Sequence, residues 1–151
     1  PRTDIPMAFC RRHGKGRVVY LPMDLDRTFW EVLSPDHALV LQNAVAWAAG
    51  APPPLAVEGA GLLDVALWRQ ERSVTAHLVN LTNPMAMKGP FREIFPVGPF
   101  RVSIELPAGA RPARARLLEA GREAPFRREG GRVTLAVPRV RVHEVVAVDL
   151  D

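Results

Sequence analysis

The stretch "SPDHALVLQNAVAWAAG" (Ser34–Gly50) carries a full set of helix-end signals. Ser34 stands where an N-cap belongs, Pro35 suits the first helical position, and Asp36 complements the positive end of the helix dipole. Gly50 can adopt the left-handed conformation that closes a last turn. Between Ala38 and Ala49 only Gln42 and Asn43 are polar. A helix apolar on nearly every side must be buried on nearly every side. Two short strands upstream cannot supply that cover, so the helix requires a partner surface beyond residues 1–50. The same run is too short to span a bilayer, which takes about 20 residues, and no membrane association is expected.

Ahead of the helix lies "GKGRVVYLPMDLDRTFWE" (Gly14–Glu31). Residues 7–10 ("MAFC") and 17–22 ("RVVYLP") read as two short strands around "RRHGKG". Gly14 and Gly16 would give the positive φ of a tight hairpin. Val18 to Leu21 is continuously apolar, the pattern of a strand covered on both faces.

Beyond the helix, "APPP" (Ala51–Pro54) reads as a stiff linker, and the period changes to two. Leu63, Val65 and Leu67 alternate with Asp64, Ala66 and Trp68; Val74, Ala76 and Leu78 alternate with Thr75, His77 and Val79. Phe100, Val102, Ile104 and Leu106 share a face, as do Val133, Leu135 and Val137; Ala113, Ala115 and Leu117 repeat the pattern more weakly. The last strand sets Val140, Val142, Val146, Val148 and Leu150 on one side, interrupted by Glu144. Short, regularly spaced strands of this kind predict an antiparallel β-sandwich over residues 55–151.

Composition agrees with strands. Fifteen prolines and 11 glycines favour short elements over long helices, and 48% hydrophobic residues against 24% charged exclude compositional disorder. The net charge of +4 comes almost wholly from arginine, since only Lys15 and Lys88 are lysines. Arg111, Arg114 and Arg116, and again Arg127, Arg128 and Arg132, lack neighbouring aromatics and any nucleic-acid motif, so no nucleic-acid partner is expected. Cys10 is the only cysteine, which rules out an internal disulfide. The chain begins at Pro1 without a methionine or signal peptide, as a processed or excised piece would. Localisation is left open, with the cytoplasm favoured.

Candidate chemistry is sparse. Asp24 and Asp26 would share a side on an extended segment, beside Arg27 and Trp30. Glycosidic catalysis needs carboxylates across the scissile bond, roughly 5 Å or more apart, so salt-bridging is the favoured role. Cys10 with His13 has the elements of a nucleophile and base, but Cys10 reads as a small buried hydrophobe. His37, His77 and His143 lack ligand spacing, and neither metal nor cofactor is expected. A hairpin centred on Gln70-Glu71 would place His77 opposite Asp64, with Trp68 on the same outward face. The long connection Asn83–Gly98 holds Met85, Met87, Phe91, Ile94 and Phe95 beside Lys88, Arg92 and Glu93, and reads as either a docking segment or a cover for the sandwich end.

"GKGRVVYLPMDLDRTFWE" followed by "DHALVLQNAVAWAAG" resembles the end of the trimerisation domain of beta-galactosidases and related glycoside hydrolases. "HLVNLTNPMAMKGPFREIFPVGPFRVSIELP" and "VAVPRVRVHEVVAVDL" are similar to the small β-sandwich that ends such enzymes. The resemblance implies an α+β chain. Its residues 1–50 would be the tail of a flavodoxin-like α/β layer with two strands and one helix, followed by the linker 51–54 and a sandwich over 55–151. It further implies that the catalytic carboxylates lie on a (β/α)8 barrel, for which a chain of this length has no room. The function expected is a non-catalytic C-terminal region that supports a homo-oligomer, a trimer being one option, and braces upstream catalytic and α/β domains. Asp24, Asp26, Arg27, Trp30, Trp68, Arg92 and Glu93 would then line an interface or a substrate rim. The alternative is a carbohydrate-binding sandwich, for which Trp68 is the one good sugar platform.

Overall fold

The structure is a computed structural model and describes residues 4–82 and 93–151. Every strand pairing within it is antiparallel. Eleven strands in three sheets and two helices make the described chain mostly β. The expected flavodoxin-like α/β layer is therefore not what these residues build. Its physical reason is local: the two upstream strands close on each other as a hairpin, leaving no parallel strand for a crossover helix to cover.

The chain divides into two compact units, Pro1–Pro53 and Pro54–Asp151. In the first, β1 (Phe9–His13) pairs with β2 (Gly16–Tyr20), and a two-residue turn Gly14-Lys15 joins them. Gly14 takes φ +58°, while Gly16 lies within the strand pairing instead of supplying a second positive φ. Phe9 and Tyr20 face each other across the hairpin, with ring centroids 6.1 Å apart. Val18 and Tyr20 are exposed, so this strand is not the doubly covered one its sequence suggests.

Two helices follow, α1 (Leu25–Val32) and α2 (Pro35–Ala49). The second keeps the ends read from its cap residues. Ser34 is extended at the N-cap without a side-chain hydrogen bond, and Gly50 at φ +66° donates its N–H to the Ala46 carbonyl at 3.1 Å. Arg17 of β2 ties the hairpin to this helix end. Its Nη1 donates to the Trp47 carbonyl at 3.1 Å, and its guanidinium lies 5.6 Å from the centre of the Trp47 ring. A cation at a helix C-terminus and over an indole is favoured on both counts.

The second unit is a sandwich of nine strands: β3 (Leu55–Glu58), β4 (Leu63–Arg69), β5 (Ser73–Asn80), β6 (Phe100–Glu105), β7 (Pro112–Leu117), β8 (Arg122–Glu123), β9 (Phe126–Glu129), β10 (Arg132–Val137) and β11 (His143–Leu150). One sheet runs β3-β6-β10-β9, the other β4-β5-β11-β7-β8. The alternating residues meet between them. Val74, Ala76, Leu78, Val102, Ile104, Val133, Val137, Val146 and Val148 are all fully buried. Each such valine or leucine contributes about 1.5–3 kcal/mol, so this core outweighs every polar contact described below. Val142 is exposed, and Glu144 takes its place on the inner face at 2% exposure.

Candidate functional site

Asp26 lies in the first turn of α1 and Asp24 is its N-cap, so the pair does not sit on an extended segment. Leu25, Phe29 and Val32 fall at helical spacing, and Leu25 is buried, so this face is what folds the segment into α1. Asp24 stands just before the helix and pairs with Arg27 at 2.7 Å. Asp26, two residues on, lies in the first helical turn, where an acid complements the helix dipole. The extended segment on which the two carboxylates were expected to share a side is therefore not formed. Trp30, on the same helix, is 66% exposed.

Cys10 and His13 both belong to β1, three residues apart, and so occupy opposite faces of the hairpin. His13 Nδ1 lies 3.5 Å from Arg11 Nη2, and Cys10 is exposed, not the buried hydrophobe expected. No nucleophile–base pair forms there.

A groove of about 790 Å³ runs along α2, walled by Leu41, Val45, Ala46, Ala49 and the prolines Pro52 and Pro53, with Arg17 at its edge. No residue of α2 is buried; Leu39 is 55% and Val45 68% exposed. An apolar helix thus displays its side chains openly. Its His37 Nδ1 is buried without a hydrogen-bond partner.

In the sandwich, Trp68 is 62% exposed on the outer face of the five-stranded sheet. Gln70 N–H donates to the Ser73 carbonyl at 2.9 Å, so the tight turn is Glu71-Arg72, one residue later than expected. His77 therefore faces Ala66, and Asp64 faces Val79. His77 instead meets a residue 66 positions away: its Nδ1 is 3.3 Å from His143 Nε2, and both rings are half-buried. Among the described residues no group of three or more metal-ligating side chains occurs. Farther along the same face Asp149 takes Arg116 at 2.9 Å and Arg114 at 3.1 Å. The hydrogen bond from Arg116 is the main reason its carboxyl is held below the ordinary value, and Arg114 adds to it against the opposing effect of burial.

Glu93 is exposed, as are Ile94 and Phe95, whereas Met85, Met87, Lys88, Phe91 and Arg92 lie outside the described residues. Two polar anchors escaped the sequence reading. Asn80 Nδ2 donates to the carbonyls of Phe95 at 2.7 Å and Arg141 at 2.8 Å, and its Oδ1 accepts from Thr82 N–H at 2.9 Å. Glu144 accepts three backbone N–H groups, from Glu119 and Val145 at 2.9 Å and Ala120 at 3.2 Å. The only signal for Glu144 was its interruption of an apolar face.

No family model matches the chain, and no curated protein matches it. Among solved structures, alpha-L-fucosidase isoenzyme 2 from Paenibacillus thiaminolyticus is similar, with a TM-score of 0.73 and 20% identity, over 91% of this chain and 21% of that one. The chain spans about a fifth of that structure's length. At this identity the likeness is one of fold. A fold found within a glycoside hydrolase is compatible with the broad class to which the sequence pointed.

Proposed function

We propose that this chain is a non-catalytic part of a glycoside-hydrolase-like protein, in which α2 docks on another domain or subunit and the sandwich braces a catalytic barrel carried elsewhere. The observation that carries the reading is α2 itself: from Ala38 to Ala49 only Gln42 and Asn43 are polar, and no residue of the helix is buried. Leaving such a surface in water is costly, at about 25 cal/mol for each Å² of apolar area. The groove beside it gives a partner a concave seat. The fold likeness to a fifth of an alpha-L-fucosidase supports the enzyme class. The engagement of Asp24 by Arg27 favours a supporting role over a catalytic one.

Sedimentation across a concentration series tests this. The chain should associate through α2, and Val45→Glu should abolish association while leaving its circular dichroism unchanged. A strictly monomeric chain whose α2 amides are protected from exchange at every concentration would overturn the reading. Turnover of nitrophenyl glycosides that is lost in Asp24→Asn would overturn its non-catalytic part.

Trp68 favours one other reading, that of a sugar-binding sandwich, because an exposed indole can stack on a pyranose ring. Saturable quenching of tryptophan fluorescence by oligosaccharides, lost in Trp68→Ala, would support it.

A further inference from the structure

One end of the sandwich carries three adjoining cavities of about 400, 190 and 320 Å³. They lie between the turn that joins β7 to β8 and the segment leading into β11. The first two share Ala120 and Arg139; the second and third share Glu119, Arg141 and His143. Arg122 lines the first. Three guanidinium groups thus border these adjoining cavities, which together form a groove.

Elsewhere on this unit, Arg114 and Arg116 are committed to Asp149 and Arg132 to Ser103. Among the described residues, Arg122, Arg139 and Arg141 have no side-chain hydrogen bond or ion pair. Two acids also line the groove. Glu119 is exposed, whereas the Glu144 carboxylate is buried and turned onto three backbone N–H dipoles. Glu144 therefore compensates the arginines only in part.

Both walls are fixed at the backbone. Glu144 holds the N–H groups of Glu119 and Ala120 on one side. On the other, Asn80 holds the Arg141 carbonyl, and Val140 pairs with Val97. A groove whose walls are already ordered loses little entropy on binding.

A cation is the first alternative, since nitrogens 3.3 Å apart in His77 and His143 would suit two bonds of about 2.0–2.1 Å to zinc. Three adjacent arginines oppose a dication, and among the described residues no group of three or more metal-ligating side chains occurs. The same arginines favour an anion. The planar fork of arginine matches the oxygens of a carboxylate or a sulfate, and His143 adds a ring at the groove wall.

We propose that this groove binds an oxyanion group, carboxylate or sulfate, on a small ligand, with Arg139 and Arg141 as its principal contacts. That role stands whether or not α2 docks on a catalytic domain. Calorimetric titration of the whole chain with glucuronate, inorganic sulfate and glucose, at constant ionic strength, tests it. Saturable binding is expected for one or both anions and not for glucose. Sulfate alone would identify a tetrahedral group, and glucuronate alone a carboxylate. The double substitution Arg139→Ala, Arg141→Ala should weaken binding about tenfold or more. Arg69→Ala, outside the groove, should leave it unchanged. Because all three side chains are exposed, circular dichroism should show these variants folded. No saturable heat with either anion, or an equal loss in Arg69→Ala, would overturn the proposal.

Discussion

The carboxylate of Glu144 accepts a hydrogen bond from the backbone N–H of Ala120 at 3.2 Å, joining the last strand of the sandwich to a turn 24 residues earlier. Its other oxygen takes the N–H groups of Glu119 and Val145. Glu144→Ala leaves these donors without a protein acceptor, each such loss costing about 1–3 kcal/mol where water cannot enter. A loss of about 3 kcal/mol in urea unfolding is expected. Glu144→Gln, which keeps one carbonyl oxygen, should lose less. Equal stability in all three proteins would contradict the role assigned to this side chain.

Asn80 performs a similar task with an amide. It binds two carbonyls and one N–H that lie on separate segments, so Asn80→Ala should cost about 2–3 kcal/mol, read by urea unfolding. Asn80→Asp exchanges two donated hydrogen bonds for repulsion against the carbonyls of Phe95 and Arg141. It should be at least as damaging at neutral pH, and less so once the carboxyl is protonated.

Asp149 gives the sandwich a dependence on acid. Its folded carboxyl lies below the unfolded value of 3.8, chiefly through Arg116. A group whose value falls on folding stabilises fully above the unfolded value and ceases to do so as pH drops through the folded one. Asp149→Asn should therefore be less stable than the parent near neutral pH, with the gap closing in acid. Added salt should narrow it as well, since the arginine side chains are partly exposed.

Arg17 makes two contacts with Trp47, one to its carbonyl and one to its ring. Arg17→Ala should cost the first unit about 1 kcal/mol and loosen the last turn of α2. Arg17→Lys keeps the charge without the planar group and should fall between. Amide exchange at Trp47, Ala48 and Ala49 measures the effect; unchanged protection would refute it.

Where sequence alone was sufficient, one segment determined its own conformation. Ser34, Pro35 and Gly50 bound α2 correctly because helix ends are set by nearest neighbours. Phe100, Val102 and Ile104, or Val133, Leu135 and Val137, were legible as inner faces because the period of a strand is local. The α/β layer failed for the opposite reason. Whether Val18 is covered depends on which strand comes beside it, and its neighbour is β1, antiparallel, with both strands left largely open. The helix α1 was not legible although Leu25, Phe29 and Val32 have helical spacing, because eight residues hold barely two turns of that pattern. His77 with His143, and Glu144 with Ala120, join residues far apart in the chain, and no local pattern announces them.

The four-stranded sheet ends on β9, where Arg127, Arg128 and Glu129 are exposed. A strand arriving from another molecule would meet a fence of guanidinium groups before it reached the free amides, and such charges deter open-ended stacking. Fibre growth along that margin is thereby disfavoured. The exposed apolar side chains of α2 carry no such fence of charge.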